Sequence, residues 1–180
     1  LPPGVASFPR TVSNLPIIDG AALGHGLVNG DPDEDGVVRR VPLVATVAGA
    51  PTPGFALELV RIAKGADRID LVTRNGRLSA VRLGDRQIPA SPEGQLALRF
   101  GDWRQVRAVS AANLLRQGLP ADLFKGQIVL VGLTSAGTSD VVQTPRAAET
   151  YGVFVQAQAV DAILRGQGLS RPPWATPVEW

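Results

Sequence analysis

The residues best placed for chemistry lie in a short polar loop from Gly132 to Ser139. This loop is rich in glycine, serine and threonine, and it directly follows an uninterrupted apolar run. It imitates a phosphate-binding P-loop, whose backbone amides cradle phosphates while a lysine reaches the β- and γ-phosphates. Thr138 stands in the lysine position, so phosphoryl transfer would lack its central cation. The accessible amides would still suit a carboxylate or phosphate group of a ligand.

A nucleophile of the serine hydrolase type would also have to come from this loop. The nucleophile elbow Gly-x-Ser-x-Gly places a serine at its centre, but the corresponding residue here is Thr134. His25 is the only histidine and therefore the one imidazole available as a general base. An α/β hydrolase-like or phosphate-binding enzyme using the 132–144 loop is an alternative, with Ser135 and Asp140 as further polar groups.

Two polar residues extend the loop toward the carboxyl terminus. Asp140 and Thr144 follow the apolar run 128–132, and Thr144 stands just before a proline. Open α/β sheets bind ligands beyond the carboxyl ends of their strands, which makes this loop the candidate ligand site. The alternative is structural, because Asp and Thr side chains also hydrogen-bond loop amides and fix their shape. The candidate ligand-binding residues are Thr134, Ser135, Asp140 and Thr144.

An acidic turn, Asp31-x-Asp33-x-Asp35, matches the opening of a calcium-binding loop of the EF-hand type. The later ligand positions do not match, since Arg39 stands at the ninth and Pro42 at the twelfth, where a bidentate glutamate belongs. We interpret the segment as a β-turn neutralised by its own arginines. The sequence predicts no functional calcium site here, no other metal site and no cofactor.

An α/β framework must position these residues. The run 128–132 is continuously apolar, which is typical of a strand covered on both faces. Helices are predicted over 53–64 and 153–165, because each has apolar residues at helical spacing and ends before a glycine. Asn75-Gly76 between alternating runs predicts a hairpin, since both residues accept positive φ. We therefore predict an α/β domain, a mixed sheet with a buried central strand near 128–132, flanking helices and antiparallel hairpins.

Shorter elements complete the predicted framework. A strand at 25–29 is expected to pair with the β-branched run 37–47 as a hairpin around the acidic turn. The remaining predictions are an extended arm over 1–15, helical turns over 16–23, a strand over 95–100 and a short helix over 110–117.

Composition excludes several function classes. The chain has 180 residues, with 18 Lys and Arg against 16 Asp and Glu, and the basic residues are scattered along it. Nucleic-acid binding requires a concentrated basic stripe, so no nucleic-acid partner is expected. The absence of cysteine excludes disulfides, thiolate catalysis and sulfur-ligated zinc. The absence of methionine, including at position 1, predicts that the chain is a piece excised from a longer protein.

Several segments, taken in order, resemble one family. They are Gly26 to Asn29, Asp33 to Leu43, Val109 to Ala111 with Leu114 and Leu115, Lys125 to Gly132, Asp140 with Thr144 and Pro145, Gly152 with Val153, Ala157, and Asp161 to Leu164. In this order and spacing they are similar to the second type of CHASE domain, the cyclase/histidine-kinase-associated sensory extracellular domain of bacterial receptors. The resemblance covers about residues 15–174 and the later part of the family's domain only.

The resemblance implies an extracytoplasmic sensor of a transmembrane receptor. Such domains precede adenylate or diguanylate cyclase, histidine kinase or Ser/Thr kinase outputs, and they are not themselves catalytic. The implied organisation is an extended arm over 1–15, a sensory domain over 16–174 and a tail over 175–180 leading toward a membrane span. The family's usual His-Ala-Asn of the last helix is Gln156-Ala157-Gln158 here, so a ligand role of that histidine does not carry over.

The implied partners follow from this placement. The full-length protein is expected to be an inner-membrane protein whose periplasmic part is this chain, receiving an unknown small-molecule or envelope signal. If the family's earlier half supplies neighbouring strands, the isolated chain should expose a sheet edge, and a homodimer is one expected assembly. The enzyme alternative would show turnover, whereas a sensor would be stabilised by a ligand that it does not consume. A purely structural dimerisation segment is a third hypothesis.

Overall fold

The computed structural model describes residues 1–101, 108–120, 122–135, 137 and 140–170. The four helices of these ranges are α1 (Pro16–Asp19), α2 (Phe55–Ala63), α3 (Ala111–Gln117) and α4 (Gly152–Arg165). The strands are β1 (Ser7–Phe8), β2 (Arg40–Pro42), β3 (Val44–Val47), β4 (Ala50–Pro53), β5 (Asp70–Arg74), β6 (Arg77–Leu83), β7 (Arg86–Pro89), β8 (Gln95–Ala97), β9 (Val141–Thr144) and β10 (Ala147–Tyr151).

The strands form four small sheets within the described ranges. One is mixed, with β1 parallel to β3 and β3 antiparallel to β4. The other three are antiparallel: the meander β5-β6-β7 and the pairs β2–β8 and β9–β10. The predicted fold class, an α/β domain with a mixed sheet and antiparallel hairpins, is confirmed.

The β5–β6 hairpin turns at the predicted Asn75-Gly76 pair. Both residues have positive φ, 51° and 74°, which is the backbone that a two-residue turn between twisted strands requires. This turn leads β6 into the interior, where Leu78 and Val81 are fully buried. The local signal therefore predicted both the position and the geometry of the turn.

Helix α2 begins two residues later than predicted because the chain before it belongs to a sheet. Thr52 and Pro53 pair with β3 in the β3–β4 hairpin, so the helix starts at Phe55 after Gly54. A Cβ on Gly54 would collide with the carbonyl oxygen of Pro42, and the Gly54 N–H donates to the Leu43 carbonyl at 2.7 Å. The sheet and the helix can approach this closely only through a glycine.

The main core lies between α2, α4 and the inner faces of the sheets. Leu57 and Val60 of α2 and Ala159 and Ile163 of α4 are almost completely buried within it. Helix α4 ends at Gly166 in the left-handed conformation, as its sequence predicts. The predicted helices 53–64 and 153–165 are thus both present and pack against each other.

The prediction of a central strand at 128–132 is wrong, because these residues form no strand in the structure. Val131 is 92% exposed and Val129 is 50% exposed, while Ile128 packs on the core. An apolar, β-branched run predicts extended backbone, but a strand also needs a partner to complete its hydrogen bonds. No element in the described part of the chain supplies that partner.

The prediction of a hairpin between 25–29 and 37–47 is also wrong, because these segments pair with other parts of the chain. Leu27 forms only an isolated parallel bridge with Gly54, and β2 pairs with β8. Strand β8 confirms the first half of the strand predicted over 95–100. The predicted tail at 175–180 lies outside the described residues.

Candidate functional site

Two residues of the candidate loop 132–144, Gly132 and Asp140, contact the first turn of α4. At its start, a Cβ on Gly132 would overlap the Val153 side chain, so the loop backbone lies directly on this helix residue. Residues 141–144 of the predicted loop form strand β9, and directly before this strand the Asp140 carbonyl accepts a hydrogen bond from the Gly152 N–H at 3.0 Å. Gly132 and Asp140 therefore contact the first two residues of the same helix.

The β9–β10 hairpin places Asp140 at this helix terminus. Tyr151 at the end of β10 pairs with Val141 at the start of β9, which brings the residue before β9 beside the residue after β10. The Asp140 carboxylate lies over Gly152, where a Cβ would collide with both of its oxygens. A negative charge at this position interacts favourably with the unsatisfied N–H groups at the helix start.

Thr144 lies inside the hairpin and is 5% exposed. Its hydroxyl accepts a hydrogen bond from the Ala147 N–H at 3.2 Å and lies 3.3 Å from both the Ala147 carbonyl and the Thr150 hydroxyl. Thr150 is itself 1% exposed. These contacts favour the structural interpretation of Thr144, and its role as a ligand contact stays a prediction.

The other candidate residues are exposed on the loop. Thr134 and Ser135 follow Gly132 directly and reach solvent, as does Asp140. The P-loop position Thr138 lies outside the described residues. The structure thus exposes Thr134, Ser135 and Asp140, and it places Asp140 at the start of α4. Ligand binding by this loop stays a prediction.

Three contacts that the sequence did not reveal attach the rest of α4 to the domain. The Gln158 side-chain oxygen accepts a hydrogen bond from the Gly101 N–H at 2.7 Å, and the Gln156 amide donates to the Val28 carbonyl at 3.5 Å. Arg86 donates to two carbonyls of the last helical turn. The departure from His-Ala-Asn to Gln-Ala-Gln was the one sequence signal pointing here, and it leads to amides that bind backbone groups.

The hydrogen-bond partner of His25 lies outside the candidate loop. Its Nε2 lies 3.1 Å from an Asp19 carboxylate oxygen, which also accepts a hydrogen bond from the Asn14 amide at 3.0 Å. The His25 side chain is half exposed. This pair ties the short helix α1 to the segment before α2. The hypothesis of His25 as a general base stays a prediction.

The acidic turn is neutralised by neighbouring arginines, as interpreted from the sequence. The Arg39 guanidinium binds Asp33 at 2.9 Å and holds Asp35 through two hydrogen bonds of 2.8 and 2.7 Å, while Arg40 binds Asp33 at 2.9 Å. The hydrogen bonds from Arg39 lower the pKa of Asp35 from 3.8 to about 2. The guanidinium groups occupy the carboxylate oxygens that a calcium ion would need. The absence of calcium binding stays a prediction.

No helix in the described ranges combines the length and apolar content needed to cross a bilayer. A family model described as the CHASE2 domain matches residues 5–180. No curated protein and no solved structure matches the chain.

Proposed function

The chain belongs to the CHASE2 family, and from this premise we propose that it is the signal-sensing part of a bacterial transmembrane receptor. CHASE2 is an extracellular sensory domain of signalling receptors and is not catalytic. The observation that carries the proposal is the extent of the family match, residues 5–180 of a chain of 180. The proposed setting is the periplasmic side of an inner-membrane protein.

The proposed output is an adenylate or diguanylate cyclase, a histidine kinase or a Ser/Thr kinase elsewhere in the receptor. Helix α4 is the element best suited to transmit a signal toward it. The helix is the longest in the described ranges, and both its first turn and its last turn are held by residues distant in sequence. Because α4 packs in the main core, a displacement at one end moves the helix as a unit.

The proposed ligand site is the exposed loop over the first turn of α4. The short side chains between Gly132 and Ser139 would let a ligand approach the backbone, and the exposed residues Thr134 and Ser135 add hydroxyl groups, a combination that suits a carboxylate or phosphate. Asp140 limits the position of an anion, since its own charge already lies at the helix terminus. A ligand of this kind shifts α4 only by binding one of its positions more tightly than another.

A thermal-shift screen of the 180-residue chain tests the proposal. Small organic carboxylates and phosphate esters are added at increasing concentration, and we expect one class to raise the melting temperature without being consumed. Asp140→Asn should change the affinity for that compound. Arg77→Ala, an exposed substitution in the β5–β6 hairpin, is the matched control and should leave the affinity unchanged.

The same screen separates a sensor from the enzyme alternative. An enzyme would convert an ester or phosphate substrate, and Ser135→Ala would abolish that turnover. A binding signal without turnover supports the sensor, while turnover lost in Ser135→Ala contradicts it. The proposal is also contradicted if the cyclase or kinase activity of the full receptor does not change with any compound that stabilises this chain.

A further inference from the structure

Residues 9–23, called the strap below, cross the surface between two fixed points. Directly before the strap, β1 pairs with β3. Directly after it, the chain lies against α2, because a Cβ on Gly24 would overlap the Glu58 carboxylate and a Cβ on Gly26 would overlap the Phe55 backbone. Both ends of the strap are therefore attached to the domain.

The strap itself has little buried surface. Asp19 is its one residue that is not exposed. The large apolar side chains of the strap are between 55% and 99% exposed, and they are Val12, Leu15, Ile17, Ile18 and Leu23. A segment with so little burial gains little hydrophobic stabilisation, so its position depends on its few polar contacts.

One side-chain pair joins the strap to the rest of the described residues. An Asp19 carboxylate oxygen lies 3.1 Å from Nε2 of His25, which stands just after the strap. The same oxygen accepts a hydrogen bond at 3.0 Å from Asn14, which belongs to the strap. Every other hydrogen bond that the structure gives to the strap stays within residues 9–23. Because the glycines on both sides of His25 lie on α2, the imidazole is a fixed partner for Asp19.

The strength of this pair depends on the protonation of His25. Histidine side chains ordinarily change charge between about pH 5 and 8. In the charged form both ring nitrogens donate, so the contact with Asp19 is a charge-assisted hydrogen bond. In the neutral form one nitrogen carries no proton, so Nε2 either donates without a charge or faces the carboxylate as a second acceptor. The contact therefore weakens as the pH rises.

The other charged groups around His25 leave this dependence intact. Asp19 faces the imidazole from the strap. From α2, Glu58 lies beneath Gly24, and Arg61 binds both of its carboxylate oxygens at 2.8 Å. The Glu58–Arg61 pair is thus neutral as a unit. Carboxylates ordinarily titrate near pH 4, below the range in which histidine changes charge.

We propose that the strap is a pH-sensitive element, which the His25–Asp19 pair holds against the domain at acidic pH and which opens as His25 loses its proton. This goes beyond the proposed sensory function, because the response needs no ligand in the 132–144 loop. The two side chains are 54% and 35% exposed, so solvent weakens the pair. We therefore expect the ratio of closed to open strap to change by about two- to fivefold between about pH 5.5 and 8.

Paramagnetic broadening in NMR spectra tests the proposal. A nitroxide on Ile17→Cys labels the strap at one position, because the chain contains no cysteine and Ile17 is 82% exposed. In the closed state the label broadens the amide signals of residues 24–27 and of the first turn of α2. We expect stronger broadening at about pH 5.5 than at about pH 8. Equal broadening at both pH values would overturn the proposal.

Two substitutions assign the effect to the pair. His25→Gln and Asp19→Asn each keep a polar side chain and remove one of its two charges, so in both labelled variants the broadening should no longer depend on pH. Asp85→Asn, an exposed substitution between β6 and β7, is the matched control and should keep the full pH dependence. Circular dichroism checks that the variants are folded. A pH dependence that persists in folded His25→Gln overturns the proposal.

Discussion

Arg86 is expected to hold the carboxyl end of α4 in place, and its substitution should loosen that end first. Its Nη1 donates to the Ile163 carbonyl at 3.2 Å and also to the Leu164 carbonyl. The last carbonyls of a helix have no partner within the helix. The Gly166 N–H donates to the Ile163 carbonyl at 3.3 Å, so Arg86 supplies the hydrogen-bond partner of the Leu164 carbonyl. The contact joins β7 to a helix 77 residues further along the chain.

The size of the effect follows from these contacts. A hydrogen bond from a charged group contributes about 1.5–3 kcal/mol, and a cation at a helix carboxyl end adds about 0.3–1 kcal/mol. Arg86 is exposed, so solvent screening reduces both contributions. We expect Arg86→Ala to lower the free energy of unfolding by about 1–2 kcal/mol. For a chain of this size that corresponds to a melting temperature about 2–8 °C lower.

Chemical denaturation and amide hydrogen exchange measure this effect at two scales. The denaturation midpoint should fall while the slope stays unchanged, because the folded and unfolded surfaces remain the same. Exchange of the amides in the last turn of α4 should accelerate more than that of its first turn. Arg86→Lys should recover part of the loss, since it keeps the charge and gives up the planar fork of donors.

Arg77→Ala is the matched control, because it removes an exposed arginine from the neighbouring strand of the same sheet. Its effect should stay within about 0.5 kcal/mol. The reasoning is refuted if Arg86→Ala and Arg77→Ala have equal effects, or if exchange accelerates uniformly along α4.

Three further substitutions test the close contacts described above. Gly54→Ala should destabilise the fold by about 3 kcal/mol or more in thermal denaturation, because its Cβ meets a backbone carbonyl, whereas Gly30→Ala has room for its Cβ and should have little effect. Gly132→Ala should cost about 1–3 kcal/mol in the same assay, since it pushes the loop away from α4; an unchanged melting temperature would show that the loop does not rest there. Carbon NMR should find the pKa of Asp35 at about 2, and in Arg39→Ala closer to 3.8. Because this pKa is lowered on folding, the stability that the Asp35–Arg39 pair contributes is present above pH 3.8 and is lost as the pH falls toward 2.

Local patterns predicted the elements whose structure depends on neighbouring residues. The Asn75-Gly76 turn, the acidic turn with its arginines and the two long helices each combine residues within a few positions of one another. In such segments the conformation is determined mainly by backbone preference and side-chain periodicity. Helix α2 starts later than predicted because Thr52 and Pro53 belong to a strand pair, which the local helix signal does not indicate.

The 128–132 segment shows where local patterns fail. Its apolar, β-branched residues favour an extended backbone, and Ile128 packs on the core as a strand residue would. Burial on both faces, however, depends on a partner that the segment's own sequence does not specify. The prediction of a buried central strand therefore failed because the segment's own sequence does not specify a partner.

The sequence located the candidate site by the rule that ligands bind beyond the carboxyl ends of sheet strands, but in the structure Asp140 of that site contacts a helix. Asp140 was singled out because it follows a predicted central strand, yet its contacts are with Gly152 at the start of α4. That contact depends on the β9–β10 hairpin, and the Arg86 contact depends on packing across 77 residues. Long-range contacts of this kind leave no pattern within one stretch of sequence.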